Sequence, residues 1–386
     1  MSFFRIAYLA LLVALAVLPV RASGQITPTY DDVVFGVVPR DAGGTVTLLM
    51  DIYLPAAGSG PYPCVLWIHG GGWQGGTHNT VPGSALQLPT AGVAIASVSY
   101  RLSGDAIFPA QIHDVKGAVR FLRANAATYN LDTTRFGSWG SSAGGHLSAL
   151  LATSGDVAEL EGTSGGNPTF SSRVQAAVDY FGPTDILNIN LDTTTPPGSG
   201  INHDAPTSPE SHLVGWDDPG QGIGDIRANI ANPNPPYPAL VTLCNQVNPI
   251  TWLTADDPPL FIAHGNMDTS VPIKQSVRLT DAMPAVGVFH DYRSINGAGH
   301  GFLGNDTDAS ARNFLLTQFF DPPLSGDTNC DGAADASDVT AFALRLVNPS
   351  AYDVQHPLCN TSNGDLNGDG RTDGKDIRSF VTLLIP

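Results

Sequence analysis

The chain has 386 residues, 42% of them apolar and 14% charged, a balance that excludes a disordered chain and at this length points to about two domains. Its 18 basic and 35 acidic residues leave a formal charge of -17, which excludes the counterion-displacing grip on phosphate backbones and so any nucleic-acid partner.

Arg5 precedes an almost unbroken apolar run from Ile6 to Val20, and Ala22 and Gly24 then give the small-x-small pattern of a cleavage site. Residues 1–24 are expected to be a signal peptide, which makes the mature chain secreted or extracellular, of bacterial type and free or surface-associated. The run is short for a membrane span of about 20 residues, so no span is expected in the mature chain.

From residue 25 to 321, short apolar runs alternate with longer helical stretches, the pattern of an α/β class with a mostly parallel sheet and helices on both faces. The first strand, Cys64 to Ile68, runs into His69-Gly70-Gly71-Gly72-Trp73. Three consecutive glycines let main-chain N–H groups face an incoming carbonyl oxygen, and Gly71 and Gly72 are the expected oxyanion donors. A second strand spans Val93 to Val98, and in Phe108 to Asn130 the apolar residues Ile112, Val115, Val119 and Leu122 fall three or four apart as one helical stripe.

The strand Arg135 to Trp139 leads into Gly140-Ser141-Ser142-Ala143-Gly144, with a helix-forming stretch directly after it. This is G-x-S-x-G in a strand–turn–helix context, with Ser142 at the centre and Ser141 on the variable position. A serine hydroxyl becomes a nucleophile only when a base takes its proton and donors receive the charge on the substrate oxygen, so Ser142 needs partners. The amide of Ala143 is the third expected oxyanion donor.

Further strands are expected at Val174 to Phe181 and Leu260 to His264. Between them, residues 188–248 are rich in Pro, Gly, Asn and Thr and read as an insertion over the sheet, expected to act as a binding lid. After the strand Leu260 to His264, Asp268 lies in the exit loop and supplies the acid; after the strand-like HDYRSI, His300 lies between glycines and supplies the base. His264 and His290 fall inside strands and His69 and His146 inside the glycine motifs, where structural roles suffice. Trp73, Tyr100 and Phe181 are candidates to line the substrate pocket, each equally readable as packing.

These roles define a mechanism in which His300 removes the Ser142 proton as the serine attacks an ester carbonyl, and Asp268 orients the imidazole. An acyl-enzyme forms and water releases it. No cofactor is expected for this chemistry.

Residues 322–326 read as a linker, and two copies of one pattern follow. Asp327, Asn329 and Asp331 at positions 1, 3 and 5, Gly332 at 6, Ala333 at 7, Asp335 at 9 and Asp338 at 12 are matched by Asp365, Asn367, Asp369, Gly370, Arg371, Asp373 and Asp376. That spacing wraps oxygen ligands around a hard cation, so two Ca2+ ions are expected. Each loop precedes an apolar helical stretch, Val339 to Val347 and Ile377 to Leu384. Four cysteines suit an oxidising compartment and by spacing leave three pairings open; Cys64 and Cys244 are given no role.

On HGGGW, G-x-SAGG and GAGHGF, residues from about 30 to 320 resemble the hormone-sensitive-lipase-like branch of α/β-hydrolases. INHDAPTSPESHLVG (Ile201 to Gly215) and NPITWLTADDPPLFIAHG (Asn248 to Gly265) look closer to a secreted bacterial subgroup that includes acetylxylan and feruloyl esterases. Ser141, where lipase-like members often have Asp, and Pro284, inside a helix expected to be regular, depart from the pattern. The resemblance implies the α/β-hydrolase fold and a serine carboxylesterase acting on acetylated or feruloylated plant-type polysaccharide or its fragments. A general short-chain carboxylesterase or lipase-like enzyme and a peptidase or amidase are the alternatives on the same scaffold; a non-catalytic, calcium-dependent adhesion or scaffold protein is the alternative from another class.

Residues 327–386 resemble type I dockerin modules, which carry two loop-helix repeats with Asp at position 12. The resemblance implies a small α-helical calcium-binding domain. Cys330 and Cys359, which ordinary dockerins lack, bracket the first repeat and are candidates to pair. The helix surfaces would choose any cohesin-like or cell-surface partner, which the resemblance does not itself supply.

Overall fold

In the computed structural model, residues 26–194, 197–301, 303–320, 324–356 and 359–384 are described; the expected signal peptide and residues 322–323 of the linker lie outside them. Eight strands form one sheet: β1 (Tyr30–Pro39), β2 (Thr45–Tyr53), β3 (Tyr62–Ile68), β4 (Ala94–Val98), β5 (Leu131–Ser141), β6 (Ala176–Tyr180), β7 (Leu260–Gly265) and β8 (His290–Ile295). Their spatial order is β1-β2-β4-β3-β5-β6-β7-β8. β1 and β2 are antiparallel to their neighbours and the remaining pairs are parallel.

Every residue of β3, β4, β6 and β7 is buried, because helices cover both faces of a parallel sheet. The helix Ala110–Ala124 buries Ile112, Val115, Val119 and Leu122 in one core, as its spacing predicts. The helix Asn305–Phe320 places Ala311, Phe314, Leu315 and Phe319 in the other, against Trp67 and Trp139. The β1–β2 hairpin is not among the expected strands: β1, at the sheet edge, buries only Phe35 and Val38, and Asp51 interrupts the apolar run of β2.

The helix Lys274–Ala282 stops before Pro284, which sits in a separate 3-10 turn, Met283–Val286. A proline inside an α-helix would remove a hydrogen bond and clash with the preceding turn, so the expected regular helix divides there. The 188–248 insertion, expected as a loop, carries helices at Ile189–Asp192, Pro209–Leu213, Ile223–Ala228 and Tyr237–Val247. Buried Asp192 ties it to the Lys274–Ala282 helix by accepting from Arg278 at 2.7 Å and Gln275 at 2.7 Å.

C-terminal to these elements, the helices Val339–Val347 and Ile377–Leu384 stack Phe342 on Phe380 with ring centroids 4.1 Å apart. Cys330 and Cys359 form a disulfide, while Cys64 and Cys244 are buried free thiols. This region packs on β8. Arg345 donates to Asp291 at 2.7 Å, Arg293 donates to Asp353 at 2.9 Å, and the amide of His290 donates to the carbonyl of Gly370 at 2.7 Å. No helix among the described residues is long and apolar enough to cross a membrane.

Candidate active site

The site forms where β3, β5, β7 and β8 end. Between β5 and the helix Ala143–Thr153 the chain turns so sharply that Ser142 takes φ 56 and ψ -123, a strained conformation for a residue with a side chain. The neighbouring glycines make the turn possible. A Cβ on Gly140 would run into the carbonyl of Gly144, and one on Gly144 into the carbonyl of Ile68 at the end of β3. The sharp turn lifts the Ser142 hydroxyl into the open, as the sequence pattern requires.

His300 enters from the loop after β8 and Asp268 from the loop after β7. The hydroxyl of Ser142 lies 3.0 Å from His300 Nε2, and His300 Nδ1 donates to Asp268 Oδ2 at 2.8 Å. Asp268 is also fixed from below: Oδ1 accepts from the amides of Ser270 and Val271 at 2.7 and 2.9 Å, and His264 Nε2 lies 3.2 Å from Oδ2. Burial pushes the Asp268 carboxyl upward, but the hydrogen bonds from His264 and His300 outweigh it and hold the group well below the usual carboxylate range. Such an arrangement can pass a proton from hydroxyl to imidazole while a fixed negative charge steadies the cation.

The glycine loop faces this chain. Gly71 and Gly72 have φ 117 and 60, within the left-handed region, and both line the cleft with Ser142 and Ala143. Ala143 opens its helix, where main-chain N–H groups lack intrahelical acceptors.

The cleft, of about 540 Å³, is also lined by Trp73, Phe181, Pro183, Ile201, His203, Pro209, Glu210, Ser270 and Val271. Phe181 packs its ring 4.6 Å from that of His300, and Trp73 donates its indole N–H to His146 Nδ1 at 3.2 Å. Tyr100 requires correction: it is buried beneath the loop, stacked 4.4 Å from His69, with its hydroxyl donating to the His69 carbonyl at 3.0 Å. Its role is packing, since both its ring and its polar end are already occupied.

His146 keeps the structural role expected of it. His146 donates Nε2–H to the Val247 carbonyl at 2.8 Å, and burial lowers its pKa to about 4. His264, expected to be structural, steadies Asp268, and no role was read from the sequence for Ile201, His203, Pro209 and Glu210. All four of the latter fall in the one segment, INHDAPTSPESHLVG, that stood out only as a resemblance.

The two Asp-rich loops fold around their first and last acids. Asp327 accepts from the amides of Asp331 and Gly332 at 3.1 and 2.9 Å, and Asp338 from those of Asn329 and Asp335 at 2.8 and 2.8 Å. In the second loop Asp365 accepts from Asp369 and Gly370 at 3.2 and 2.9 Å, and Asp376 from Asn367 and Asp373 at 3.0 and 2.8 Å. Gly332 and Gly370 take φ 91 and 84 at the turn. Burial, together with the charges of Asp376 and Asp369, raises the pKa of Asp365 to about 6. These side chains offer the hard oxygens that a divalent cation takes, and among the described residues they are held by main-chain amides and, at Asp369, by Lys375 Nζ at 2.9 Å.

The BD-FAE family model matches residues 50–283 of the chain. The chain is 27% identical over 290 residues to Esterase LipQ of Mycobacterium tuberculosis, an alignment covering 73% of this chain and 59% of LipQ. It spans between 46% and 59% of the length of the first curated relatives it matches. Among solved structures, a truncated form of a carbohydrate esterase from gut microbiota is similar with a TM-score of 0.64 at 28% identity, covering 77% of this chain and 98% of that one. A bifunctional GH43-CE protein of Bacteroides eggerthii is similar with a TM-score of 0.62 at 32% identity, covering 75% of this chain and 35% of that one.

Proposed function

This chain belongs to the BD-FAE family, and from that premise we propose that it is a secreted carboxylic ester hydrolase acting on acetylated or feruloylated polysaccharide, or its fragments. The single observation that carries the reading is the hydrogen-bonded line from Asp268 through His300 to Ser142, beside the glycine loop. Names of similar proteins, esterase and carbohydrate esterase, support the reaction and the substrate class.

In this reading Ser142 Oγ attacks the ester carbonyl and gives its proton to His300 Nε2. The carbonyl oxygen takes the negative charge and is met by the amides of Gly71, Gly72 and Ala143. His300 then protonates the departing alcohol, leaving an acyl group on Ser142. A water molecule, deprotonated by His300, repeats the attack and frees the acid, restoring the serine. Asp268 stays ionised throughout and holds the imidazole with Nε2 toward the serine.

Calcium belongs to the stability of the C-terminal region and takes no part in this reaction. Asp327, Asn329, Asp331, Ala333, Asp335 and Asp338 would hold one ion, and Asp365, Asn367, Asp369, Arg371, Asp373 and Asp376 a second, neutralising acids that otherwise repel. In this dockerin-like reading, the apolar side chains that remain exposed there, Val347 and Val381 among them, offer a surface for a cohesin-like or cell-surface partner. Holding the hydrolase near an insoluble polymer raises its effective concentration.

The test is Ser142→Ala. Turnover of aryl acetate and methyl ferulate should fall by about 10⁴-fold or more with the fold retained by circular dichroism, whereas Ser141→Ala should keep substantial activity. Undiminished turnover in Ser142→Ala would exclude the assignment. Faster cleavage of aminoacyl anilides than of either ester by the unaltered protein would favour a peptidase instead.

A further inference from the structure

His203 and Glu210 take no part in the proton relay, yet both are buried in the wall of the Ser142 cleft. They come together because the chain turns between them, where Ser208 caps the Pro209–Leu213 helix by accepting from the Ser211 amide. His203 donates Nδ1–H to Glu210 Oε1 at 3.0 Å. Oε2 of the same carboxylate is closed off from solvent and has no hydrogen-bond partner. A buried carboxylate oxygen without a donor is unfavourable until something supplies one.

The position of that oxygen narrows what the something is. Pro209, the preceding residue, packs against the glycine loop so closely that a Cβ on Gly72 would lie 3.3 Å from the Pro209 Cβ. Glu210, the next residue, lines the same cleft as Gly71, Gly72 and Ser142. It is the only carboxylate among the described residues that line the cleft. Its neighbours from the insertion, Ile201 and Pro209, are apolar, and His203 Nδ1–H already holds Oε1. A bound cation would need several oxygens there. A single neutral O–H donor needs one.

We propose that Glu210 is a specificity-determining residue whose Oε2 accepts a hydrogen bond from a free hydroxyl of the sugar, next to the esterified position. The inference rests on the ester-hydrolase reading of Ser142 and deepens it by naming the alcohol side of the substrate as polyhydroxylated. A site built around a buried acceptor discriminates strongly against an analogue lacking the hydroxyl, because the acceptor is then left unpaired in the complex. His203 is a positioning residue: with Nδ1–H on Oε1, it leaves Oε2 as the free oxygen. Ser199, whose hydroxyl donates to the Thr269 carbonyl at 3.0 Å and lies 3.3 Å from His203 Nε2, ties this pair to the loop that carries Asp268.

The experiment compares kcat/KM of the full-length protein and of Glu210→Gln on three acetyl esters. They are a mono-acetylated pyranoside with a free neighbouring hydroxyl, its deoxy analogue with hydrogen in that place, and 4-nitrophenyl acetate. All three deliver the same acetyl group to Ser142, so effects on the acyl side cancel. The unaltered protein should prefer the hydroxylated sugar over the deoxy sugar by about ten-fold or more, and Glu210→Gln should bring that preference close to one. A purely structural role would lower all three rates by a common factor and leave the preference intact, which overturns the proposal. Should Glu210→Gln not fold, the unaltered protein still decides, since a preference near one removes the assignment. Undiminished turnover in Ser142→Ala would instead strike the hydrolase reading beneath it, so the two failures are told apart.

Discussion

Two adjacent serines in the same turn receive different fates from the backbone. Ser142 is held at φ 56 with its hydroxyl 3.0 Å from His300, while Ser141 ends β5 and contributes only to the cleft wall. Asp268 shows how one residue can serve both chemistry and stability. Its folded pKa lies below the ordinary aspartate value of about 4, so its contribution to stability is fully present above that pH and is lost as the pH falls further. Asp268→Asn removes this contribution: thermal midpoints of the variant should fall less steeply below about pH 4 than those of the unaltered protein. The same substitution should reduce kcat by about 10³- to 10⁴-fold, because an amide does not fix the imidazole in the required tautomer. Parallel acid limbs for the two proteins would contradict the depressed carboxyl.

At the scale of elements, the turn from β5 into the Ala143–Thr153 helix depends on the closeness of that helix to β3. Gly144→Ala would press a methyl group into the Ile68 carbonyl, and the helix could escape only by moving Ser142 with it. This substitution should lower the thermal midpoint by several degrees and reduce turnover on every ester alike, read by calorimetry and a substrate panel. In the second Asp-rich loop, burial and the neighbouring charges of Asp376 and Asp369 raise the pKa of Asp365 to about 6, and Lys375 Nζ lies 2.9 Å from Asp369 Oδ2. Adding a chelator to the calcium-loaded protein should therefore loosen the Val339–Val347 and Ile377–Leu384 helices, lowering the thermal midpoint by several degrees, with recovery on adding calcium. A midpoint indifferent to both would remove calcium from those loops.

Across the whole molecule, β8 joins two regions that the sequence separates by a linker. The strand carries the chain toward His300 at one end, while Asp291 and Arg293 on it pair with Arg345 and Asp353 of the C-terminal region. Burial alone would push the Asp291 carboxyl up, but Arg293 and Arg345 hold it well below the usual range. Arg345→Ala leaves part of that buried charge uncompensated and should destabilise the protein by about 3–5 kcal/mol in denaturant unfolding. A loss below about 1 kcal/mol would mean that the contact is a loose surface pairing.

What was legible in the sequence is what short-range geometry controls. Strand, turn and helix around Ser142, the three glycines after β3, the apolar stripe of Ala110–Ala124 and the two Asp-rich loops each depend on residues within about a dozen positions of one another, where steric and periodic rules act directly. Asp268 and His300 were legible as an order along the chain. Their distance from Ser142 is a property of the sheet, because only the β5-β6-β7-β8 order aligns the strand ends that present them. The β1–β2 hairpin, the Tyr100 packing, the docking of the C-terminal region on β8 and the His203–Glu210 pair were decided by tertiary structure alone. Each depends on which groups burial leaves facing one another, and no local pattern encodes that.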